Sequence, residues 1–273
     1  MISFVNIIVY VYVSILILRS VMTMQELHFN PIGKVVATTT DPIFNNIFKG
    51  KPKEQTDKFI SVFIAIIALM LGVYYWALRG GGLITSILMG FNNIIGFIMI
   101  FYMISLLLGS LVNTAGASFI TTFFYRIGLF WVKLVRTFVP ISGNLIVFIA
   151  ILLVFIVFTF LNAIISGFYL YISSGKLLYL YPFVISAQGS LISIINLLRI
   201  FVWLVIARAL MSWVNPDPRN IFVQIIHSLT EPVMAPFRKI IPPLGLIDLS
   251  PIILIFLIEF MRIFLLRLIG TIF

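Results

Sequence analysis

Long apolar runs alternate with short polar clusters along this chain. Six runs approach or exceed the roughly 20 residues that a helix needs to cross a bilayer: about 3–22, 59–78, 83–112, 144–172, 190–213 and 250–271. They are continuous rather than alternating, so they read as helices and not as barrel strands. The pattern predicts an all-α membrane protein with about six transmembrane helices. The third and fourth runs exceed the hydrocarbon thickness, which tilt or a break accommodates. Gly90, Asn92, Asn93 and Gly96 are the candidate weak points of the third. In the stretch 118–139, Arg126 and Lys133 share one helix face while Phe124, Trp131 and Val135 fall roughly opposite. That suits a helix lying in the interface; a seventh span is the alternative. The short stretch 177–188, broken by Pro182, is also expected at the interface.

Composition agrees with this pattern. Of 273 residues, 62% are hydrophobic and 10% charged, against about 25% charged in soluble domains. A soluble fold exposes only small apolar patches, so lipid must solvate most of the chain. Phe4 to Leu18 is apolar and Arg19 follows, the reverse of a secretory signal, and this segment is expected to be a retained span. The net charge is +10, and its distribution sets an orientation. Loop 30–58 carries Lys34, Lys49, Lys51, Lys53 and Lys58; the stretch 118–139 carries Arg126, Lys133 and Arg136; loop 214–249 carries Arg219, Arg238 and Lys239. Six spans put all three on one side, facing only Arg79 and Lys176 on the other. The positive-inside rule makes the basic side cytoplasmic and both termini external. Anionic lipid heads are the expected partner of these loops, and nucleic acid is not. Cysteine is absent, and His28 and His227 are far apart in sequence. No metal or cofactor is therefore expected.

Two of the basic loops share landmarks. After the first run come Asn30-Pro31, Asp41-Pro42, Pro52 and Asp57; after the fifth come Asn215-Pro216, Glu231-Pro232, Pro242 and Asp248. Arg19 precedes Asp41 by 22 residues, and Arg208 precedes Glu231 by 23. Pro42 to Pro52 and Pro232 to Pro242 are both ten residues, and Asp41 to Asp57 is 16 against 17 for Glu231 to Asp248. The chain thus divides into a first module at 1–78, an inserted central membrane region at 79–189, and a second module at 190–273. Each module is a span, a broken helical loop and a span. Both loops face the same side, so the copies are parallel.

The second loop is expected to hold two short amphipathic helices. Asp217 can cap the first, with Pro218 at its first position, and Ile221, Ile225 and Leu229 give it one apolar face. Thr230 can cap the next, whose first turn holds Glu231 and Pro232 at the positive end of the helix dipole. Pro242, Pro243 and Gly245 break the chain. Asp248 or Ser250 then caps the last span, with Pro251 in its first turn.

Trp213 with Asn215-Pro216, Thr230-Glu231-Pro232, Pro236, Arg238-Lys239, Pro242-Pro243-Leu244-Gly245 and Asp248-Leu249-Ser250-Pro251 closely resemble the signature of the YggT family, called YlmG in some bacteria and in plastids. The match is dense over about 190–271. The first module matches at its landmarks only, and the central region resembles no named family. The resemblance implies a multi-pass protein of the bacterial inner membrane, in a two-copy form with a long middle insertion. It also implies links to osmotic and ion tolerance, to cell division or nucleoid organisation, and in plastids to cytochrome assembly. It supplies a class and a compartment rather than a mechanism.

Five arginines fall within the predicted spans: Arg19, Arg199, Arg208, Arg262 and Arg267. An uncompensated arginine at mid-bilayer costs about 2.5–3.5 kcal/mol. Arg19 and Arg208 lie near the cytoplasmic ends and are expected to snorkel. Arg199 and Arg262 are deeper. Glu259, the one acid in a predicted span, precedes Arg262 by three residues and can pair with it on one helix face. Arg199, Glu259 and Arg262 are expected to form a charged cluster, either a satisfied structural pairing or part of an ion pathway or partner site. Three functions follow. A non-enzymatic membrane organiser or assembly factor fits the basic loops and an unidentified membrane-protein partner. A transport or channel role in osmotic balance would use the buried charges. A membrane enzyme is disfavoured, because no metalloprotease, phosphate-loop or nucleophile-elbow motif is present.

Overall fold

The computed structural model describes residues 2–49, 52–110, 119–139, 143–176, 180–214, 216–217, 220–240 and 249–273. Those residues form an all-α membrane protein. The helices are α1 (Ile2–Val21), α2 (Met24–Phe29), α3 (Pro31–Phe48), α4 (Lys53–Thr56), α5 (Ile60–Arg79), α6 (Leu83–Ser110), α7 (Phe119–Phe138), α8 (Asn144–Ser174), α9 (Tyr181–Val214), α10 (Ile221–Ile240) and α11 (Ser250–Ile272). A 3₁₀ turn at Asp57–Phe59 leads into α5. Five of them, α1, α5, α6, α8 and α9, are long and apolar enough to cross a membrane. The expected sixth span, α11, is a helix of 23 residues that carries Glu259, Arg262 and Arg267.

The chain divides into two compact units. One comprises residues 1–110 and 121–186; the other is built chiefly from Ala187–Phe273. The boundary falls within α9.

In the first unit, α1, α5, α6 and α7 share a core of Val13, Ile17, Ala68, Leu71, Tyr75, Ile94 and Ile127. Two glycines let α5 and α6 touch. A Cβ on Gly90 would run into the Ala68 carbonyl and Gly72, and one on Gly72 would meet the backbone of Ile87. Small residues let helices approach in this way where no hydrophobic effect drives them together. Asn93 donates to the Tyr75 hydroxyl at 2.5 Å, and that hydroxyl donates to Asn6 at 2.7 Å. Of the two ways to accommodate the third run, tilt or a break, the structure excludes the break. Helix α6 is unbroken from Leu83 to Ser110; Gly90 is a packing contact and Asn93 a polar tie to α5 and α1. Helix α8 packs along α6, with Tyr102 and Phe158 rings 6.0 Å apart.

Pro182 was misread. It lies in the first turn of α9, where a missing N–H costs nothing, and the helix continues without a break to Val214. There is no separate interfacial segment over the described part of 177–188; residues 177–179 lie outside the described residues. Helix α7 is a single amphipathic helix. It buries Phe123, Ile127, Trp131 and Val135 and exposes Lys133 and Arg136. It crosses α6 closely, with Gly109 against the Tyr125 backbone and Gly128 over Leu106. Arg126 ties it to Glu26 of α2 at 2.8 Å.

In the second unit, Val202 and Val205 of α9, Met234 of α10, and Leu254 and Ile258 of α11 form the core. The expectation of two short helices in this loop is corrected: α10 is one helix of 20 residues, with Pro232 and Pro236 inside it. In the first unit, α3 likewise runs through Pro42. All three prolines sit on exposed faces, where the carbonyls they leave unpaired can bend outward to water or headgroups. Proline breaks a helix through those carbonyls and its ring, and a surface helix absorbs both as a bend.

Candidate functional site

Among the described residues the two most buried arginines, Arg19 and Arg208, are each 5% exposed. Arg19 stands in the last turn of α1 and Arg208 near the end of α9. Both were expected to snorkel. Instead each reaches sideways to the amphipathic helix that follows its span.

Arg19 donates through Nη1 to the Thr40 hydroxyl and to Asp41 Oδ1, each at 2.5 Å. Its Nε lies 3.6 Å from Asp57 Oδ1, which is ion-pair range but too long for a hydrogen bond. Lys53 holds the other oxygen of Asp57. The Phe44 ring lies 4.5 Å beneath the Arg19 guanidinium, a cation–π contact that suits a weakly hydrated planar cation. In the second unit, Arg208 donates through Nη1 to the Thr230 hydroxyl at 2.8 Å and through Nη2 to Glu231. Arg238 lies 3.6 Å from the other Glu231 oxygen.

The threonines are the pivot of both arrangements. Each is 0% exposed. Thr40 donates its proton to the Val36 carbonyl at 2.7 Å, and Thr230 donates to the Ile226 carbonyl at 2.6 Å. A hydroxyl with its proton committed keeps its lone pairs for an incoming N–H. The helix backbone thereby orients the acceptor that the arginine needs. Thr230 is thus an interior residue of α10 and not its cap. In both loops the order is threonine, acid, proline, with an arginine 21 or 22 residues before the threonine.

The electrostatics follow from these contacts. The hydrogen bond from Arg208 holds the Glu231 carboxyl below its usual range; partial burial opposes this, and the charges of Arg208 and Arg238 reinforce it. For Glu26, burial pushes the carboxyl up, but hydrogen bonds from Thr23 and Arg126 outweigh it and hold it down. His227 is pushed down by burial and by Arg208 and Arg238, with Glu231 opposing. A cavity of about 180 Å³ adjoins Arg19, lined among others by Asp41, Asn45, Lys53 and Thr56.

The expected membrane cluster is smaller than predicted. Glu259 and Arg262 pair, with Nε to Oε2 at 2.8 Å, and Arg262 is 9% exposed. Arg199 is exposed and joins no ion pair among the described residues, so the cluster is a pair. Helix register, rather than depth alone, decides which charges meet.

Of the other motif residues, Pro216 is half-buried in the connection between α9 and α10, and Pro236 and Arg238 are exposed on α10. Ser250 and Pro251 are buried in the first turn of α11, whose cap position is Leu249. Ser250 therefore begins the helix rather than capping it. Helix α10 starts at Ile221, three residues beyond the expected start, after a turn in which the Asn220 N–H meets the Asp217 carbonyl at 3.0 Å. Asn215, Pro218, Arg219, Pro242, Pro243, Leu244, Gly245 and Asp248, with Lys51 of the first loop, lie outside the described residues, as do the side chains of Trp213, Ile221 and Ile225.

The model of the CCB3/YggT family matches residues 188–269, which include Arg208, Thr230, Glu231, Glu259 and Arg262. Curated relatives match over comparable lengths. An uncharacterized protein of Pseudomonas aeruginosa is 41% identical over 64 residues, 23% of this chain and 32% of that protein. An uncharacterized protein of Vibrio alginolyticus is 39% identical over 70 residues, 26% of this chain and 37% of that protein. The uncharacterized protein YggT of Escherichia coli is 32% identical over 75 residues, 28% of this chain and 39% of that protein. The chain thus spans about a third of the length of the curated relatives it matches. No solved structure matches. The similarity to the CCB3/YggT family is thus carried by residues 188–269 of this chain.

Proposed function

We propose that this chain is a non-enzymatic organiser or assembly factor of a bacterial inner membrane, serving envelope and osmotic homeostasis or cell division. The observation that carries this reading is the pair of arginine–threonine–acid clasps. Each fastens an amphipathic helix, α3 or α10, to the end of a span. The clasped helices keep basic and apolar groups free: Lys34, Val35 and Ile47 on α3, and Val233 and Lys239 on α10, are exposed. Helices of this kind lie in the interface and attract anionic headgroups and partner segments. The shared clasp also supports an internal parallel repeat of the 1–78 and 190–273 modules, with the basic loops cytoplasmic.

The acids favour scaffolding over chemistry. Asp41, Glu231 and Glu259 are each tied to an arginine. A carboxylate oxygen already committed to an arginine is not free to exchange a proton with a substrate. The same commitment disfavours an ion pathway through Glu259.

Purified protein in liposomes, assayed for salt-gradient ion flux and, in parallel, for co-purifying membrane proteins, separates the roles. The organiser reading predicts no flux above empty liposomes and a specific partner that is lost when the α10 surface charges are neutralised. Flux abolished by Glu259→Gln would overturn it in favour of transport. A reporter fused after Phe273 should be active outside the cytoplasm; cytoplasmic activity would overturn the orientation.

A further inference from the structure

One charge in the second unit has no local answer. Arg199 lies near the middle of α9, which spans 34 residues. Fifteen residues, roughly 22 Å at the helical rise, separate it from Val214, and still more separate it from Tyr181. Within the apolar run 190–213 it still stands nine residues, roughly 13 Å, from the nearer end, beyond the reach of its side chain. It is exposed and joins no ion pair among the described residues. Its neighbours on the exposed side of α9 are Gly189 and Asn196, with Ser193 half-buried between them, and then Trp203. Gly189 has open space where a Cβ would stand. Small and polar residues at this spacing characterise surfaces that meet another helix in lipid.

A matching acid lies at the same level. Helices α9 and α11 pack through Val202, Val205, Leu254 and Ile258. The end of α9 and the start of α11 both adjoin α10, so the two helices run antiparallel. Arg199 lies three residues before Val202, and Glu259 one residue after Ile258. Both therefore lie just beyond the shared core in the same direction. Stepping about 100° per residue from the core-facing positions also puts both on the same flank of the pair. Glu259 spends one oxygen on Arg262, and its side chain remains 31% exposed.

We propose that this flank is the contact with a second copy of the chain, in which Arg199 of each copy pairs with Glu259 of the other. A two-fold axis along the membrane normal preserves depth, so it brings a residue only to partners at its own level. Arg199 and Glu259 meet that condition, and each copy would supply both halves of an isologous contact. The charges would then be removed from lipid reciprocally.

The chain has no cysteine, which makes the test direct. Two differently tagged copies of the full chain, one carrying Asn196→Cys and the other Ile263→Cys, are co-expressed and oxidised in native membranes. Both substitutions leave Arg199 and Glu259 in place. A disulfide-linked product bearing both tags is expected, and mass photometry in lipid nanodiscs should give two copies per particle. Arg199→Leu should abolish the double-tagged product while leaving protease resistance and helix content by circular dichroism unchanged. Three results would overturn the proposal. One is a single copy per particle for the wild type, which would leave Arg199 to an acid of its own chain. Another is a double-tagged product unaffected by Arg199→Leu. The third is Arg199 cross-linking to an acidic helix of a different membrane protein.

Discussion

Thr230→Val tests the clasp with the least disturbance. Valine is isosteric and shares the β-branch, so packing at this fully buried site is kept. What is lost is the acceptor for Arg208 Nη1 at 2.8 Å. The Ile226 carbonyl loses the threonine hydroxyl as a partner but keeps the backbone N–H of its helix. Arg208 keeps Glu231, so its charge is not orphaned, and the cost is that of one charge-assisted hydrogen bond. Such bonds contribute about 1.5–3 kcal/mol in soluble proteins, while side-chain pairs in membrane helices reach at most about 1.7. A loss of about 1–2 kcal/mol is expected, roughly a 5- to 30-fold shift in the folding equilibrium. Unfolding in mixed detergent micelles, followed by tryptophan fluorescence, reads it. A double-mutant cycle with Arg208→Met should show coupling of similar size. A change below about 0.5 kcal/mol, or strict additivity with Arg208→Met, would refute the assignment of Thr230 as the pivot.

Other outcomes follow from the same contacts. The Glu231 carboxyl is held below its usual value near 4.5, so its contribution to stability is fully present above that pH and is lost as the pH falls through the lowered value. The stability advantage of wild type over Glu231→Gln, measured by pH-dependent thermal unfolding, should therefore vanish in acid, and an advantage that grew below pH 4.5 would contradict the pairing. Gly90→Ala should cost about 1–3 kcal/mol by forcing α5 and α6 apart, read as a lower melting temperature in detergent; a neutral result would remove the close contact. Glu259→Gln should lower membrane insertion or stability by leaving buried Arg262 without its acid, and wild-type behaviour in both assays would show that Arg262 is satisfied elsewhere. Arg126→Gln should release α7 from α2, seen as faster amide exchange over 119–138, whereas unchanged protection would show that the apolar face of α7 holds it alone.

The helices were legible because apolar run length maps directly onto the bilayer, and each of the six expected runs is a helix. Breaks were less legible. Gly90, Asn93, Pro182, Pro42 and Pro232 each carry a local signal for interruption, yet each sits inside a continuous helix. What overrides the signal is local context: Ala68 against Gly90, Tyr75 against Asn93, a first-turn position for Pro182, and exposed backbone beside Pro42 and Pro232. The clasps were half legible. The 22- and 23-residue spacings from arginine to acid were visible in the sequence, and so were the two threonines just before the acids. Their meaning was missed because depth suggested snorkelling, and depth says nothing about which way a side chain turns. The same limit explains Arg199. Its place along the span was visible in the sequence, but the face it occupies was not.

The central claim is that one buried arginine holds each amphipathic helix to its span. Hydrogen exchange on the full chain in lipid nanodiscs, comparing wild type with Arg208→Met, tests it most directly. The account predicts at least about tenfold faster exchange over residues 221–240, the equivalent of about 1.4 kcal/mol of local opening, with α3 near Arg19 unchanged. Unchanged protection across 221–240, or equal loosening of α3 and α10, would contradict it.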